Sequence, residues 1–83
     1  MLEVHLYGTL RRFAPDKRVA QDSVVALPMK VDDTIATVMW RMGIDARETS
    51  NLFLNGQLSL PDRRVRDGDR LGIFATNMGL LYI

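Results

Sequence analysis

Apolar and polar side chains alternate at the start of the chain, from Leu2 to Tyr7. A period of two residues is typical of a β-strand with one face on a core and the other face nearer solvent. Gly8 ends the alternation, and segment 11–22, which contains a proline and scattered charges, predicts a loop that Leu10 and Phe13 anchor. The pattern therefore predicts a first strand followed by a long connection.

A second strand and one helix are predicted next. The β-branched segment Ser23–Leu27 favours a strand that pairs antiparallel with the first. Asp32 or Asp33 supplies the acceptor for a helix start. Gly43 supplies the left-handed residue that ends the helix, and Ile44 folds back onto its last turn. Between these ends, apolar residues recur at i, i+3, i+4 and i+7, which is the spacing of one helix face: Ile35, Val38, Met39 and Met42.

The second half of the chain predicts three strands and two turns. A strand predicted over 51–54, with the apolar run Leu52-Phe53-Leu54, leads into Asn-Gly at 55–56, the residue types that best tolerate the positive φ of a tight hairpin turn. The short pattern 57–59 completes this hairpin. Asp-Gly-Asp at 67–69 makes a second turn before the last apolar strand, 70–74.

The order strand, strand, helix, strand, strand, strand predicts an α+β chain with the β-grasp, or ubiquitin-like, fold. One main helix covers one face of a four- to five-stranded mixed sheet, and the first and last strands lie parallel at its centre. We expect residues 1–83 to form a single domain, because a chain of this length allows one modest core. A flexible tail is expected over about 75–83.

Both halves of the chain resemble the MoaD/ThiS family of ubiquitin-like sulfur-carrier proteins. In the second half, the likeness consists of the Asn-Gly hairpin, the later Asp-Gly-Asp turn and a final strand that leads into a tail. In the first half, it consists of segment 6–11 with Phe13 and of Leu27-Pro28. The order and spacing of these motifs are more specific than any one turn. The matching residues of the second half are Asn55, Gly56, Asp67, Gly68, Asp69, Leu71, Ile73 and Phe74.

The resemblance implies a carrier whose terminal glycine carboxylate is adenylated and converted to a thiocarboxylate for molybdopterin or thiamine synthesis. Its implied partners are an adenylating enzyme of the ubiquitin-activating type and a sulfur-accepting synthase, so the chain itself is not the enzyme. Family carriers end in Gly-Gly, whereas here Gly79 follows Met78 and precedes Leu80-Leu81-Tyr82-Ile83. Either a protease removes these four residues to expose Gly79, or the protein is a non-conjugating interaction module that uses its sheet face and apolar tail.

The strand period also predicts an aromatic patch on the sheet face that points away from the helix. If the leucines and isoleucine of the third and last strands face the helix, then Phe53 and Phe74 lie on the opposite face, near Tyr7. An exposed apolar patch on a small protein usually marks a protein partner. The alternative is that the apolar tail or a loop covers the patch. These three aromatic residues and Met78 are the predicted partner-binding residues.

Composition limits the classes of function. The chain is 47% apolar and 25% charged, with a net charge of +1 and no cysteine. These values fit a soluble globular protein, exclude disulfides and thiol chemistry, and provide no global field to attract nucleic acid or an anionic membrane. No apolar run approaches the ~20 residues of a membrane span. We therefore expect a cytoplasmic protein, monomeric when alone, that binds neither nucleic acid nor membranes.

No side-chain chemistry stands out. His5 is the single histidine and has no further ligand at suitable spacing, so a sheet-face role is favoured over a metal-ligand or general-base role. The sequence contains neither a nucleophile elbow nor a phosphate loop. Arginines cluster near 63–70 and in the first loop, but interleaved acidic residues favour a solvated, partly paired surface over an RNA- or anion-binding patch. We predict no cofactor, metal site or catalytic residue.

Overall fold

The computed structural model describes residues 1–13 and 23–76. Within these residues, two short 3₁₀ helices, Gly8–Phe13 and Ala46–Glu48, accompany five strands and one α-helix. The strands are β1 (Leu2–Leu6), β2 (Ser23–Leu27), β3 (Thr49–Leu54), β4 (Gln57–Ser59) and β5 (Arg70–Ala75), and the helix is α1 (Ile35–Met42).

The five strands form one mixed sheet in the order β2-β1-β5-β3-β4. β1 and β5 pair in parallel at the centre, and the remaining neighbours pair antiparallel. The prediction of a β-grasp fold with its first and last strands side by side is confirmed. Because β1 and β5 run in the same direction, the end of β1 and the end of β5 lie at the same edge of the sheet.

The hydrophobic core lies between α1 and one face of the sheet. The helix contributes Ile35, Val38 and Met39, all buried, while Met42 is partly buried against the same core. Burial of a side chain of this size stabilises the fold by roughly 1.5–3 kcal/mol. The core-facing residues of the three central strands are Leu2, Val4, Leu6, Leu52, Leu54, Leu71, Ile73 and Ala75.

The N-cap of α1 lies one residue after Asp33, the later of the two predicted caps. Thr34 is the N-cap: its Oγ1 accepts a hydrogen bond from the Thr37 backbone N–H, and Thr37 Oγ1 accepts one from the Thr34 N–H. The prediction that Asp32 or Asp33 caps the helix is therefore wrong. Asp32 has a positive φ of 65° and is exposed, whereas Asp33 is buried. A reciprocal cap of this kind contributes about 1 kcal/mol.

Asp33 instead anchors the helix to the rest of the fold. Its carboxylate accepts hydrogen bonds from Arg41 Nη1 at 2.7 Å, the Lys30 backbone N–H at 2.8 Å and Thr37 Oγ1 at 3.0 Å. Arg41 also donates to the carbonyl of Pro28, just after β2. The hydrogen bond from Arg41 is the largest of the causes that lower the pKa of Asp33 to about 2, and the Lys30 N–H adds to it.

Several predicted turns and contacts are confirmed. Gly43 ends α1 with a φ of 81°, and the Ile44 N–H donates to Met39, so that Ile44 packs back into the core. Asn55 and Gly56 both have positive φ values, 51° and 81°, as the hairpin turn requires. Gly68 in the second turn also has a positive φ, 89°.

The observed structure differs from the predicted elements at three places. The anchors Leu10 and Phe13 do contact the core, but they belong to a 3₁₀ helix, and residues 14–22 of the predicted loop lie outside the described residues. β3 begins at Thr49, two residues before the predicted start, and β5 extends to the buried Ala75. Of the predicted tail, residues 77–83 lie outside the described part of the chain.

Candidate functional site

One row of residues crosses the outer face of the sheet, the face opposite α1. His5 of β1 pairs with Val24 of β2 on one side and with Gly72 of β5 on the other. Gly72 pairs in turn with Phe53 of β3, and Phe53 pairs with Leu58 of β4. Because residues in register on adjacent strands share a face, the row forms a continuous surface with a glycine at its centre.

Three aromatic rings cluster beside this row. The rings of Tyr7 and Phe74 stack with centroids 4.4 Å apart and planes 10° from parallel. Phe53 meets Phe74 edge to face, with centroids 5.5 Å apart and planes at 72°. Aromatic pairs of this geometry are worth about 0.5–1.5 kcal/mol beyond burial. All three residues are only half-buried, so the cluster is ordered by its own contacts and still presents apolar surface.

Gly72 leaves a notch between these rings. A Cβ atom at this position would lie 3.6 Å from Tyr7 Cε2 and 3.8 Å from Phe53 Cβ. The missing side chain thus opens a shallow groove of about 280 Å³, here named the aromatic groove. Its lining residues are His5, Tyr7, Phe53, Gly56, Arg70, Gly72 and Phe74.

Polar groups occupy the end of the aromatic groove where β5 begins. The His5 ring donates from Nε2 to Glu3 Oε2 at 2.6 Å. Asn55 donates from Nδ2 to Asp69 Oδ1 at 2.9 Å, and its Oδ1 accepts from the Arg70 backbone N–H at 2.9 Å. The groove therefore has a polar end at Arg70 and an aromatic end at Tyr7 and Phe74.

The arginines near the second turn line a polar depression that also includes Asn55 and Asp69, beside the polar end of the aromatic groove. Arg64 lies 3.5 Å from a carboxylate oxygen of Asp32. Arg63 donates to Ser59 Oγ at 3.2 Å and to Gln57 at the limit of hydrogen-bond distance. These contacts agree with the predicted solvated, partly paired surface. Lys17 and Arg18, the later basic residues of the first loop, lie outside the described residues.

The helix presents a second apolar surface on the opposite side of the molecule. Trp40 is 81% exposed and borders a depression with Ala36, Gly43 and Pro61. Sequence reasoning missed this residue, although Trp40 falls outside the i, i+3, i+4 stripe that predicted the buried face and is therefore expected on the solvent side.

The structure brings together three of the predicted partner-binding residues: Tyr7, Phe53 and Phe74. Their role in binding stays a prediction. Met78 and the predicted carrier terminus, Gly79, lie outside the described residues. That Gly72 forms the notch of the aromatic groove was not predicted, although a lone glycine within an apolar strand indicates close approach of another group.

Within 1–13 and 23–76, no group of three or more histidine, cysteine or carboxylate side chains is placed to hold a metal ion. In the same part of the chain, none of the helices has the length and apolar character needed to span a bilayer.

The chain was compared with known families and proteins. The model of the Mut7-C ubiquitin family matches residues 1–78. No curated protein matches this chain. The family match confirms the predicted ubiquitin-like relationship, while the closer relationship to MoaD/ThiS sulfur carriers stays a prediction.

Proposed function

This chain belongs to the Mut7-C ubiquitin family, and from that premise we propose that it is a ubiquitin-like binding module that docks a partner protein on the outer face of its sheet. The aromatic cluster of Tyr7, Phe53 and Phe74 is the observation that carries this proposal. Half-exposed aromatic rings around a notch are typical of residues that dominate binding energy in protein interfaces. The module acts with partner proteins and contributes no catalytic side chain of its own.

The remainder of the row supports the same surface. Leu58 is 66% exposed and Val24 is 44% exposed, and they lie at opposite ends of the row that crosses the groove. Apolar side chains thus lie on both edge strands, on either side of His5 and the groove. Apolar surface of this kind gains free energy when a partner removes it from water.

Site-specific photo-crosslinking tests the docking surface. The photoreactive residue p-benzoylphenylalanine replaces Leu58 in one variant and Trp40 in another, so that the outer face and the helix face are compared in the same cells. We expect a defined crosslinked protein from position 58 that is missing from position 40. The same crosslinks from both positions, or crosslinks from position 40 alone, would contradict the proposal.

A second candidate function is that of a sulfur carrier, and the parallel pairing of β1 and β5 favours it. This pairing places the end of β5 next to Tyr7, whose N–H donates to Ile73. Gly79 follows Thr76 by three residues, so it can lie at most about 11 Å from Thr76. A partner that holds the groove would therefore lie within reach of a terminus at Gly79.

As a carrier, the protein would first lose Leu80-Leu81-Tyr82-Ile83 by hydrolysis of the Gly79–Leu80 peptide bond. The Gly79 carboxylate would then attack the α-phosphate of ATP and release pyrophosphate. Hydrosulfide would displace AMP to leave a thiocarboxylate, or a protein persulfide would displace AMP and a thiol would then reduce the acyl disulfide to the thiocarboxylate and a protein disulfide. The partners would be an adenylating enzyme and a synthase of molybdopterin or thiamine type. We propose the cytoplasm, where ATP is available, as the location of this reaction.

Intact-mass measurement separates the carrier from the non-conjugating module. The full chain is incubated with extract of its native cells and then with the adenylating enzyme, ATP and a sulfur donor. The carrier hypothesis predicts loss of four residues followed by exchange of one oxygen for sulfur at Gly79. A mass that stays at full length, without an ATP-dependent adduct, would leave only the non-conjugating module.

A further inference from the structure

We propose that the aromatic groove binds an extended protein segment that presents an acidic side chain to Arg70 and an apolar side chain, two residues away, to the notch over Gly72. The inference rests on the docking function proposed above and specifies the chemistry of the partner. It also fixes which end of the groove holds the acidic residue.

The first step concerns the charge of Arg70. Its side chain is exposed and lines the groove, and it makes no ion pair with any residue in the described part of the chain. Two carboxylates neighbour it, Glu3 in register on β1 and Asp69 before it in the chain, and both make hydrogen bonds to other groups. Glu3 accepts from His5, and Asp69 accepts from Asn55 and from the Arg66 backbone N–H at 2.7 Å. The guanidinium is therefore available to a carboxylate from outside the molecule.

The second step concerns the notch. Its walls are the ring of Tyr7 and the Cβ atom of Phe53, and its floor is the backbone of Gly72. An aliphatic side chain placed there contacts the Tyr7 ring on one side and the Phe53 Cβ on the other, and it displaces water from apolar surface. A charged side chain placed there would lose hydration without gaining an ion pair. The notch therefore selects an apolar residue.

The third step concerns spacing. Arg70 and Gly72 lie on the same face of β5, two residues apart, which corresponds to about 6.6 Å along the strand. Alternate side chains of an extended partner segment have the same separation. Arg70 lies at the start of β5, so the acidic residue of the partner lies at the end of the groove away from Thr76. This orientation leaves the aromatic end, beside the exit of the chain, for further apolar contacts.

The test uses two matched probes on the ¹⁵N-labelled full chain. One is the acetylated and amidated pentapeptide Gly-Glu-Ser-Leu-Gly, and the other has lysine in place of glutamate. Each is titrated to millimolar concentration while amide chemical shifts are followed by NMR. We expect shifts at Phe53, Gly72 and Phe74, with about 1.5- to fivefold tighter binding of the glutamate peptide, the range expected for an exposed ion pair. Added salt should narrow the difference.

Charge reversal provides the control. In Arg70→Glu the preference should switch to the lysine peptide, and in Arg70→Gln it should vanish. Both variants should keep the amide spectrum of the fold elsewhere, because the Arg70 side chain is exposed. The switch is a result that loss of folding cannot produce.

Three other results would overturn the inference. Equal groove shifts with both peptides, unaffected by charge reversal, would reject the acidic specificity while leaving the docking function intact. Shifts confined to residues 63–66 would place the acidic contact in the neighbouring polar depression. No shifts with either peptide would reject the motif, whereas the docking function would still be decided by crosslinking through position 58.

Discussion

The two faces of the sheet are built from the same strands and behave in opposite ways. On the core face, Leu71 and Ile73 of β5 are fully buried under α1. On the outer face, the alternate residues of the same strand are the exposed Arg70, the notch residue Gly72 and the half-buried Phe74. The comparison indicates that one face supplies most of the stability, while the other retains apolar surface that contributes little to folding and is available for binding.

The largest expected effect is on the core face. Leu71→Ala should lower the free energy of unfolding by about 3 kcal/mol, because it removes a fully buried side chain and leaves a cavity. Leu58→Ala is the matched control on the outer face and should change it by less than about 0.5 kcal/mol. Urea unfolding of both variants measures the difference. Equal losses would remove the distinction between the faces.

The stability that α1 gives to the fold should depend on the ionisation of Asp33. The pKa of Asp33 is about 2 in the folded protein, below its ordinary value of 3.8. A lowered folded pKa stabilises the fold above pH 4, and this contribution, on the order of 2 kcal/mol, is lost as pH falls through 2. Asp33→Asn should lower the free energy of unfolding at neutral pH and should remove the part of its decrease in acid that Asp33 causes. Urea unfolding from neutral pH down to pH 2 measures both effects.

Asp45→Asn is the control for this prediction. Hydrogen bonds from Arg47 also lower the pKa of Asp45 to about 2, but its carboxylate is exposed. We expect a smaller effect on stability because water screens the charge. If the two variants lost the same stability, burial of Asp33 would not be the reason for its contribution.

On the outer face, Phe74→Ala should lower the free energy of unfolding less than Leu71→Ala does. It should weaken partner binding more. Removal of the ring breaks the stacked contact with Tyr7 and the edge contact with Phe53, and we expect a loss of about 1.5 kcal/mol in unfolding free energy. Crosslinking through position 58 should fall at least tenfold. A variant that unfolds like Leu71→Ala, or that crosslinks normally, would contradict this prediction.

The smallest effect on stability is expected from filling the notch. Gly72→Val adds a β-branched side chain to a strand, and the new Cβ would meet its neighbours at ordinary contact distances of 3.6 and 3.8 Å. Its stability should stay within about 0.5 kcal/mol of the original in thermal and urea unfolding. Gly72→Val should lose partner binding, and the affinity of Gly72→Ala for the partner should lie between those of the original protein and Gly72→Val. Retained binding in the valine variant would show that the notch is not used.

Much of the fold is predictable from local pattern. The two-residue alternation of β1 and the i, i+3, i+4 spacing of α1 identify the core residues, and the Asn55-Gly56 turn fixes the hairpin. The helix cap was not predictable, because Asp32, Asp33 and Thr34 are all good capping residues. Side-chain hydrogen bonds around Asp33 decide among them: Arg41 and the Lys30 N–H bind the Asp33 carboxylate, which leaves the cap to Thr34.

The candidate site was predictable only in part. The strand period places Phe53 and Phe74 on the outer face, but it does not give the register between strands. The pairing of β3 with β5 shifts between Thr49 and Leu52, and the position of Gly72 opposite Phe53 depends on that register. The availability of Arg70 depends likewise on which partners the nearby carboxylates take, and one of these contacts, from Asn55 to Asp69, joins residues 14 positions apart.

Calorimetric titration of the crosslinked partner tests the central claim most directly. The purified partner is titrated into the original protein, Gly72→Val and Trp40→Ser, after unfolding curves have shown that all three are folded. The outer face as docking surface predicts at least tenfold weaker binding for Gly72→Val and unchanged binding for Trp40→Ser. Unchanged binding for Gly72→Val together with a loss in Trp40→Ser would contradict it and assign the partner to the helix face.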